Sequence, residues 1–140
     1  MFWDSSALVP TILPAHASAA LLSLVGSDHQ KTVWWACPVE CQSAVFRRHR
    51  EKPLSAALLG NAIRRLVDLM DSSDVVPPTA TLRERAGRLL GAHPLRAGDA
   101  LQLAAALASS EDSPQGTTFV CLDTRLRDAA RREGFAILPA

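Results

Sequence analysis

The stretch that decides the fold is residues 118–138, TFVCLDTRLRDAARREGFAIL. Its apolar and β-branched first part, residues 118–122, predicts a β-strand. Residues 124–133 have the spacing of a helix that ends at Gly134, and residues 136–138 predict a second short strand. A helix between two strands is typical of parallel pairing, because parallel strands need a long crossover connection. The stretch therefore predicts an α/β domain with a parallel sheet.

The rest of the chain repeats this alternation of short strands and helices. Strands are predicted at residues 2–4, 32–36 and 75–76. Helices are predicted at residues 15–25, 38–50, 55–70 and 95–107, and from a cap at Thr79 to residue 90. Residues 5–9 are expected to turn away from the first strand, since Pro10 breaks any long helix there. The chain therefore predicts five strands covered by helices on both faces.

Length and composition fit one globular domain spanning residues 1–140. Hydrophobic residues make up 48% of the 140 residues and charged residues 21%, which excludes a disordered chain. The sequence contains no apolar run near the roughly 18–20 residues that span a bilayer. The first residues, MFWDSS, lack the basic region and cleavage site of a secretory signal. We therefore expect a cytoplasmic protein without a membrane anchor.

The cysteines are predicted to belong to the core, and the tryptophans to the core or, as the alternative, to a binding groove. These residues are Cys37, Cys41, Cys121, Trp3, Trp34 and Trp35. An odd number of thiols fits no disulfide framework, and a helix would place the first two on one face. A zinc site would need further ligands, and the histidines do not supply them at matching spacing. They are His16, His29, His49 and His93.

Four acidic residues stand at the ends of predicted elements. Asp4 and Asp123 end the first and fourth strands, while Glu40 and Asp99 lie in the first turns of helices. In an open parallel sheet, strand ends and the following helix starts share one edge, where ligands bind. Each acid alone could instead cap its helix or favour the helix dipole. Their presence at all four junctions favours a common cleft.

Carboxylates gathered in one cleft repel one another unless a cation is present. Mg²⁺ or Mn²⁺ is the cation that suits a cluster of oxygen ligands. Such clusters carry out phosphoryl-ester chemistry, in which the ion activates water and neutralises the phosphate. The acids therefore predict a Mg²⁺ or Mn²⁺ site.

Basic residues are clustered although the net charge is only +1. Of the 15 basic residues 13 are Arg, whose guanidinium suits phosphate better than the Lys ammonium does. The alternative for each cluster is a solvated helix face. Arg96, Arg125 and Arg127 lie nearest the predicted acidic edge and are candidate phosphate contacts.

Four segments together resemble the PIN-domain ribonucleases, and in particular the VapC-type toxins of bacterial toxin–antitoxin pairs. The segments are DSSALV (4–9), PVECQSAVFRR (38–48), LRAGDALQLAAAL (95–107) and FVCLDTRLRDAARREGF (119–135). The resemblance implies a three-layer sandwich whose parallel sheet has the strand order 3-2-1-4-5. It also implies that Asp4, Glu40, Asp99 and Asp123 form the Mg²⁺ site. By position, the Ser6 hydroxyl, with Ser5 as alternative, would order the metal-bound water.

The activity implied by this resemblance is that of an endoribonuclease toxin. It would cleave structured RNA, of the transfer or ribosomal class, and leave a 3′-hydroxyl and a 5′-phosphate. A homodimer is expected, as is neutralisation by a cognate VapB-type antitoxin whose C-terminal segment lies in an apolar groove. Arg96, Arg125 and Arg127 would then contact RNA. Many relatives carry Ser or Thr where this chain has Cys121, so a hydrogen bond behind the site is expected to be weak or missing. The alternative for Asp123 is then to act on the metal through water.

Three other functions compete with the toxin. A PIN nuclease of RNA processing or turnover would use the same acids. A catalytically silent PIN-like module would bind a partner without cutting, although the retention of all four acids argues against it. A nucleotide-binding or phosphotransfer domain is disfavoured, because the chain has neither GxxxxGK[ST] nor GxGxxG.

Overall fold

The computed structural model describes residues 1–13 and 17–140, which form a five-stranded parallel sheet with helices on both faces. The strands are β1 (Phe2–Trp3), β2 (Lys31–Trp34), β3 (Ser73–Val76), β4 (Thr118–Val120) and β5 (Ala136–Leu138). The helices within the described ranges are α1 (Ser5–Ile12), α2 (Ala19–Ser27), α3 (Cys37–Glu51), α4 (Ala56–Asp71), α5 (Ala80–Ala92), α6 (Ala97–Ser109) and α7 (Thr124–Arg132).

The strand order is β3-β2-β1-β4-β5, and all four pairings are parallel, which confirms the predicted topology. The shortest strand, β1, lies in the middle, between β2 and β4. Because the order reverses at β1, its carboxyl end is the position where an open α/β sheet binds ligands. Asp4 is the residue at that end.

Successive residues of the central strands alternate between two cores. Phe2, Trp34 and Phe119 are buried against α5, α6 and α7. Trp3, Val33 and Val120 are buried against α1, α2, α3 and α4 on the opposite face. This alternation is the period of two that any strand imposes on its side chains. It produces the predicted three layers of helix, sheet and helix.

Most helix boundaries fall within a few residues of their predicted positions, but α1 was not predicted. The structure forms an eight-residue helix there, with Pro10 inside it and Asp4 as its N-cap. Burial of Ala7, Leu8 and Ile12 accounts for the helix, since each large buried aliphatic side chain contributes about 1.5–3 kcal/mol. That burial offsets the roughly 3 kcal/mol cost of an interior proline. The predicted start of the following helix, at residue 15, lies outside the described residues.

Trp35 is the one predicted core tryptophan that the structure contradicts. Trp34 is buried, whereas 57% of the Trp35 side chain is exposed. Strand β2 ends at Trp34, so Trp35 stands beyond the region that the helices cover. The three cysteines are buried as predicted. His16 lies outside the described residues, and none of the helices within them is long and apolar enough to cross a membrane.

Candidate active site

Asp4 is the most enclosed acid at the carboxyl edge of the sheet, with 4% of its surface exposed. Its backbone N–H donates to the Val120 carbonyl at 2.9 Å, which continues the pairing of β1 with β4. Its Oδ2 accepts hydrogen bonds from the Ser6 amide at 2.9 Å and from the Ser6 hydroxyl. The Cys121 thiol lies 3.5 Å from the same oxygen. Among the described residues, these bonds all go to Oδ2.

Burial raises the pKa of Asp4 to about 6, because removal from water penalises the charged form. The negative charge of Glu40 adds to this rise. Hydrogen bonds from Ser6 and Cys121 oppose it. Asp4 and Glu40 are therefore close enough to interact electrostatically, although 36 positions of sequence separate them.

Ser6 joins the ends of the two central strands. Its Oγ accepts hydrogen bonds from the backbone amides of Leu122, at 2.9 Å, and Asp123, at 3.3 Å, and its hydroxyl donates to Asp4. The side chain thus ties the turn after β1 to the turn after β4. The role expected for Ser6, ordering a water molecule, stays a prediction.

Glu40 lies in the first turn of α3 and faces the start of α6. Its Oε2 accepts a hydrogen bond of 2.5 Å from the Gln102 side-chain amide. A Cβ at position 98 would lie 3.8 Å from Glu40 Oε1, so the first turn of α6 packs directly against this carboxylate. Gln102 is 2% exposed, and its Oε1 is a buried oxygen without a hydrogen-bond partner among the described residues. The buried amide holds Glu40 at the edge.

Asp99 and Asp123 use their carboxylates at the starts of their own helices. Asp99 Oδ2 accepts a hydrogen bond from the Arg96 amide at 3.2 Å, in the first turn of α6. Asp123 is the N-cap of α7, and its Oδ1 accepts from the Leu126 amide at 3.0 Å. Both arrangements stabilise helix N-termini. Stabilisation of a helix N-terminus is the role that the sequence analysis gave for each acid as the alternative to metal binding.

The donor chemistry of this edge fits a hard divalent cation, because four carboxylates and no thiolate or imidazole define it. Burial and the charge of Glu40 raise the pKa of Asp4, and a bound cation would oppose this rise. Within residues 1–13 and 17–140, however, no three His, Cys, Asp or Glu side chains are grouped closely enough to hold a metal ion. The shared metal site therefore stays a prediction.

A groove of about 650 Å³ opens beside Glu40, between α1 and α3. We call it the α1–α3 groove. Its lining includes Ser5, Ser6, Val9, Glu40, Ser43 and Arg47. The acidic edge is thus accessible from a surface channel.

Two relatives match this chain over its whole length. Ribonuclease VapC45 and Ribonuclease VapC49, both from Mycobacterium tuberculosis strains, are each 32% identical to it over 142 residues. The match covers 100% of this chain and 95% of each relative. The chain belongs to the VapC family of PIN-domain ribonucleases. No model of a protein family matches it.

The fold agrees with this VapC assignment. The crystal structure of PAE2754 from Pyrobaculum aerophilum superposes on this chain with a TM-score of 0.66 at 21% identity. The superposition covers 98% of this chain and 87% of that protein. At this identity the similarity establishes the shared fold.

The three arginines predicted to contact RNA have different surroundings in this VapC fold. Arg96 and Arg125 are exposed. Arg127 is half-buried, and its guanidinium donates to the Cys121 carbonyl at 2.9 Å and the Pro139 carbonyl at 2.7 Å. Its guanidinium therefore joins β4 to the segment after β5. Contact of these three arginines with RNA stays a prediction, and the Arg127 guanidinium already binds two backbone carbonyls.

Gln102 and Cys121 lie behind the VapC acids and contact Glu40 and Asp4. Gln102 was not singled out from the sequence, although it is the polar residue within an otherwise apolar stretch of α6. Cys121 lies within 3.6 Å of Ser6 Oγ as well as close to Asp4. Burial and the Asp4 charge raise the pKa of this thiol, so it stays protonated at neutral pH. It keeps a contact with Asp4, as a weak donor.

Proposed function

We propose that this chain is a Mg²⁺- or Mn²⁺-dependent endoribonuclease toxin that acts in the cytoplasm. Its substrate is structured RNA of the transfer or ribosomal class. It works as a homodimer and is neutralised by a cognate VapB-type antitoxin. The two relatives named as VapC ribonucleases support RNA as the substrate. A single PIN-like domain over residues 1–140 carries the activity.

The observation that carries this proposal is the pairing of Asp4 with Glu40 beside an open groove. A buried acid whose pKa is raised by burial and by a second acid does not stabilise a fold at neutral pH. Such groups concentrate at functional sites. Ser6 and Glu40 both line the α1–α3 groove, so a phosphate in the groove would reach this edge.

Four carboxylates, Asp4, Glu40, Asp99 and Asp123, would hold the cation. When bound, it would neutralise charge on the scissile phosphate and lower the pKa of water. Ser6 and Gln102 position the site: Ser6 fixes one oxygen of Asp4, and Gln102 fixes one oxygen of Glu40.

The reaction is the hydrolysis of one phosphodiester bond. A water oxygen forms a new bond to phosphorus, and the bond between phosphorus and the 3′-oxygen breaks. The 3′-oxygen takes up a proton, so the products are a 3′-hydroxyl and a 5′-phosphate. The attacking water supplies both the hydroxyl group that phosphorus gains and, overall, the proton that the 3′-oxygen takes up.

The test is cleavage of total cellular RNA by the purified protein and by the Asp99→Asn variant. Each is incubated with Mg²⁺, with Mn²⁺ or with EDTA. We expect discrete cuts by the wild type that need the divalent cation, and at least tenfold slower cutting by Asp99→Asn. End-mapping of the products should show 5′-phosphates.

Asp68→Asn is the matched control, because Asp68 is an exposed acid of α4 that does not line the groove. It should cut at the wild-type rate. Cutting that persists in EDTA, or equal rates for Asp99→Asn and wild type, would contradict the proposal. RNA left intact by the wild type in Mg²⁺ and in Mn²⁺ would favour the silent binding module.

A further inference from the structure

The α1–α3 groove continues beyond the acidic edge along the surface. A second cavity of about 200 Å³ adjoins the first and shares four lining residues with it. The shared residues are Val9, Pro10, Ala44 and Arg47. Together the cavities form one channel that starts at Ser6 and Glu40 and passes Arg47. The channel is therefore long enough to hold a segment of polymer rather than a single small group.

Glu40 and Arg47 lie on the same face of α3. They are seven residues apart, which is about two helical turns and about 10 Å along the helix axis. One strand of a stacked nucleic acid rises about 3.4 Å per phosphate. The distance between the acid and the cation therefore corresponds to about three nucleotides of a stacked strand.

Arg47 is available for an external anion. Within the described residues, its guanidinium takes part in no hydrogen bond and no salt bridge, and the residue is exposed. Its neighbour Arg48 differs, since that guanidinium donates to the Lys52 carbonyl at 3.1 Å. A guanidinium binds phosphate through two parallel hydrogen bonds, which a Lys ammonium cannot reproduce.

The other groups in the channel also suit a single strand of RNA. Ser5 and Ser43 supply hydroxyl groups, which hydrogen-bond phosphate and sugar oxygens. Val9, Pro10 and Val39 supply apolar surface, against which ribose and bases can pack. The second cavity is also lined by Arg48, whose guanidinium donates to the Lys52 carbonyl, and by Glu51.

We propose that a single-stranded segment of the RNA substrate lies in the α1–α3 groove, with Arg47 binding a phosphate about three nucleotides from the scissile bond. This proposal rests on the proposed function, because it assigns the path of the same substrate to the same site. It makes Arg47 a substrate-positioning residue.

The first test measures binding of a fluorescent ten-nucleotide oligouridylate as a function of salt. All variants carry Asp99→Asn, so that the oligonucleotide stays intact. We expect Arg47→Ala to weaken binding about five- to tenfold and to lower the slope of log affinity against log salt by about 0.7, the value for one phosphate contact on a single strand. Arg47→Lys should recover part of the affinity, because it restores the charge without the bidentate geometry.

Arg50→Ala is the matched control. Arg50 lies on the same helix, is exposed, and lines neither cavity. It removes the same charge and should change the affinity less than twofold. Equal effects of Arg47→Ala and Arg50→Ala would overturn the proposal and leave the groove to a protein segment. Absence of salt-dependent binding by the parent protein would overturn it as well.

The second test uses the RNA that the proposed activity cleaves. One uncharged methylphosphonate linkage, placed about three nucleotides from the cut, should raise KM for the wild type and leave kcat unchanged. It should add nothing in Arg47→Ala, because the two changes remove the same contact. Additive effects would overturn the proposal even where the wild type is active. Loss of the proposed function has a different signature, since the wild type would then leave total RNA uncut.

Discussion

The two halves of the carboxyl edge carry the same chemical group in different surroundings. Asp4 and Glu40 are held by Ser6, Cys121 and Gln102, and burial together with the charge of Glu40 raises the pKa of Asp4. The other two acids, Asp99 and Asp123, have carboxylates that accept backbone amides of their own helices, as the Asp4 carboxylate also does from Ser6. The first half is built from distant segments, the second from local ones.

This difference separates carboxylates whose position helix capping fully explains from a carboxylate whose position it does not explain. Helix capping explains Asp99 and Asp123 without any ligand, since an N-terminal carboxylate stabilises its helix by about 1 kcal/mol. Asp4 also caps its own helix, α1, but capping does not account for its burial, which makes the charged form less favourable in the folded protein. A position that costs stability points to a task other than folding. The Asp4–Glu40 half therefore carries most of the argument for catalysis.

The largest expected difference between the two pairs of acids is in the rate of RNA cleavage. We expect Asp4→Asn to slow RNA cleavage about 10²- to 10³-fold, the usual loss when one charge-stabilising group of an active site is removed. Asp123→Asn should slow it by about tenfold, because its carboxylate is shared with the helix amide. Initial rates on one mapped RNA, with saturating Mg²⁺, measure the ranking. Equal losses of cleavage rate in Asp4→Asn and Asp123→Asn would contradict the distinction between the two pairs of acids.

The next effect concerns the free energy of unfolding without divalent cations. Asp4 has a pKa of about 6 in the folded protein and about 3.8 otherwise. Between these values the folded protein keeps a proton that the unfolded chain has lost, so stability falls as pH rises through this window. The full difference corresponds to about 3 kcal/mol. Asp4→Asn should therefore be the more stable protein at about pH 7 and differ little at about pH 4, as urea unfolding in EDTA would show.

Asp28 is a control for which we expect the opposite dependence of stability on pH. Its burial disfavours the charge, but hydrogen bonds from the Trp3 indole, the Gln30 amide and the Met1 ammonium lower its pKa overall. Its charged form thus adds stability above the unfolded pKa, and that stability is lost as the pH falls. Asp28→Asn should destabilise the protein at neutral pH. A stabilised Asp28→Asn, or an Asp4→Asn that is less stable than wild type at about pH 7, would contradict the pKa assignments.

Much of the fold could be predicted because its determinants are local. The strand–helix–strand pattern of residues 118–138 fixed the class, and helix α3, predicted at residues 38–50, spans Cys37–Glu51. The order of the five strands came from the resemblance to PIN domains. Helix α1 escaped prediction because Pro10 opposes it locally, while the burial that stabilises it depends on packing against α3 and α4. The prediction of a buried Trp35 was wrong because the alternation of side chains along a strand assigns a residue to one face of the sheet. It does not say where the helices that cover that face end.

The site divides in the same way. The positions of the four acids at element ends follow from the sequence, because each stands at a strand end or in a first helical turn. Their surroundings do not follow, since Gln102 reaches Glu40 across 62 positions and Cys121 reaches Asp4 across 117. Pairs so distant in sequence meet only through the strand order. The local sequence pattern therefore could not predict which acid is buried and which acid caps its own helix.

The smallest effect tests whether Asp123 is tied to its helix as the structure indicates. Asp123→Ala removes the oxygen that accepts the Leu126 amide and should lower the free energy of unfolding by about 1 kcal/mol. Asp123→Asn should cost only a few tenths, because Asn is an equally good N-cap. Ser55→Ala, which removes the N-cap of α4 at an exposed site, should cost about as much as Asp123→Ala and leave cleavage unchanged. If Asp123→Asn lowered the free energy of unfolding as much as Asp123→Ala, the charge of Asp123 rather than its capping hydrogen bond would stabilise the fold. The Asp123 carboxylate would then have a partner beyond its own helix, as the Asp4 carboxylate has.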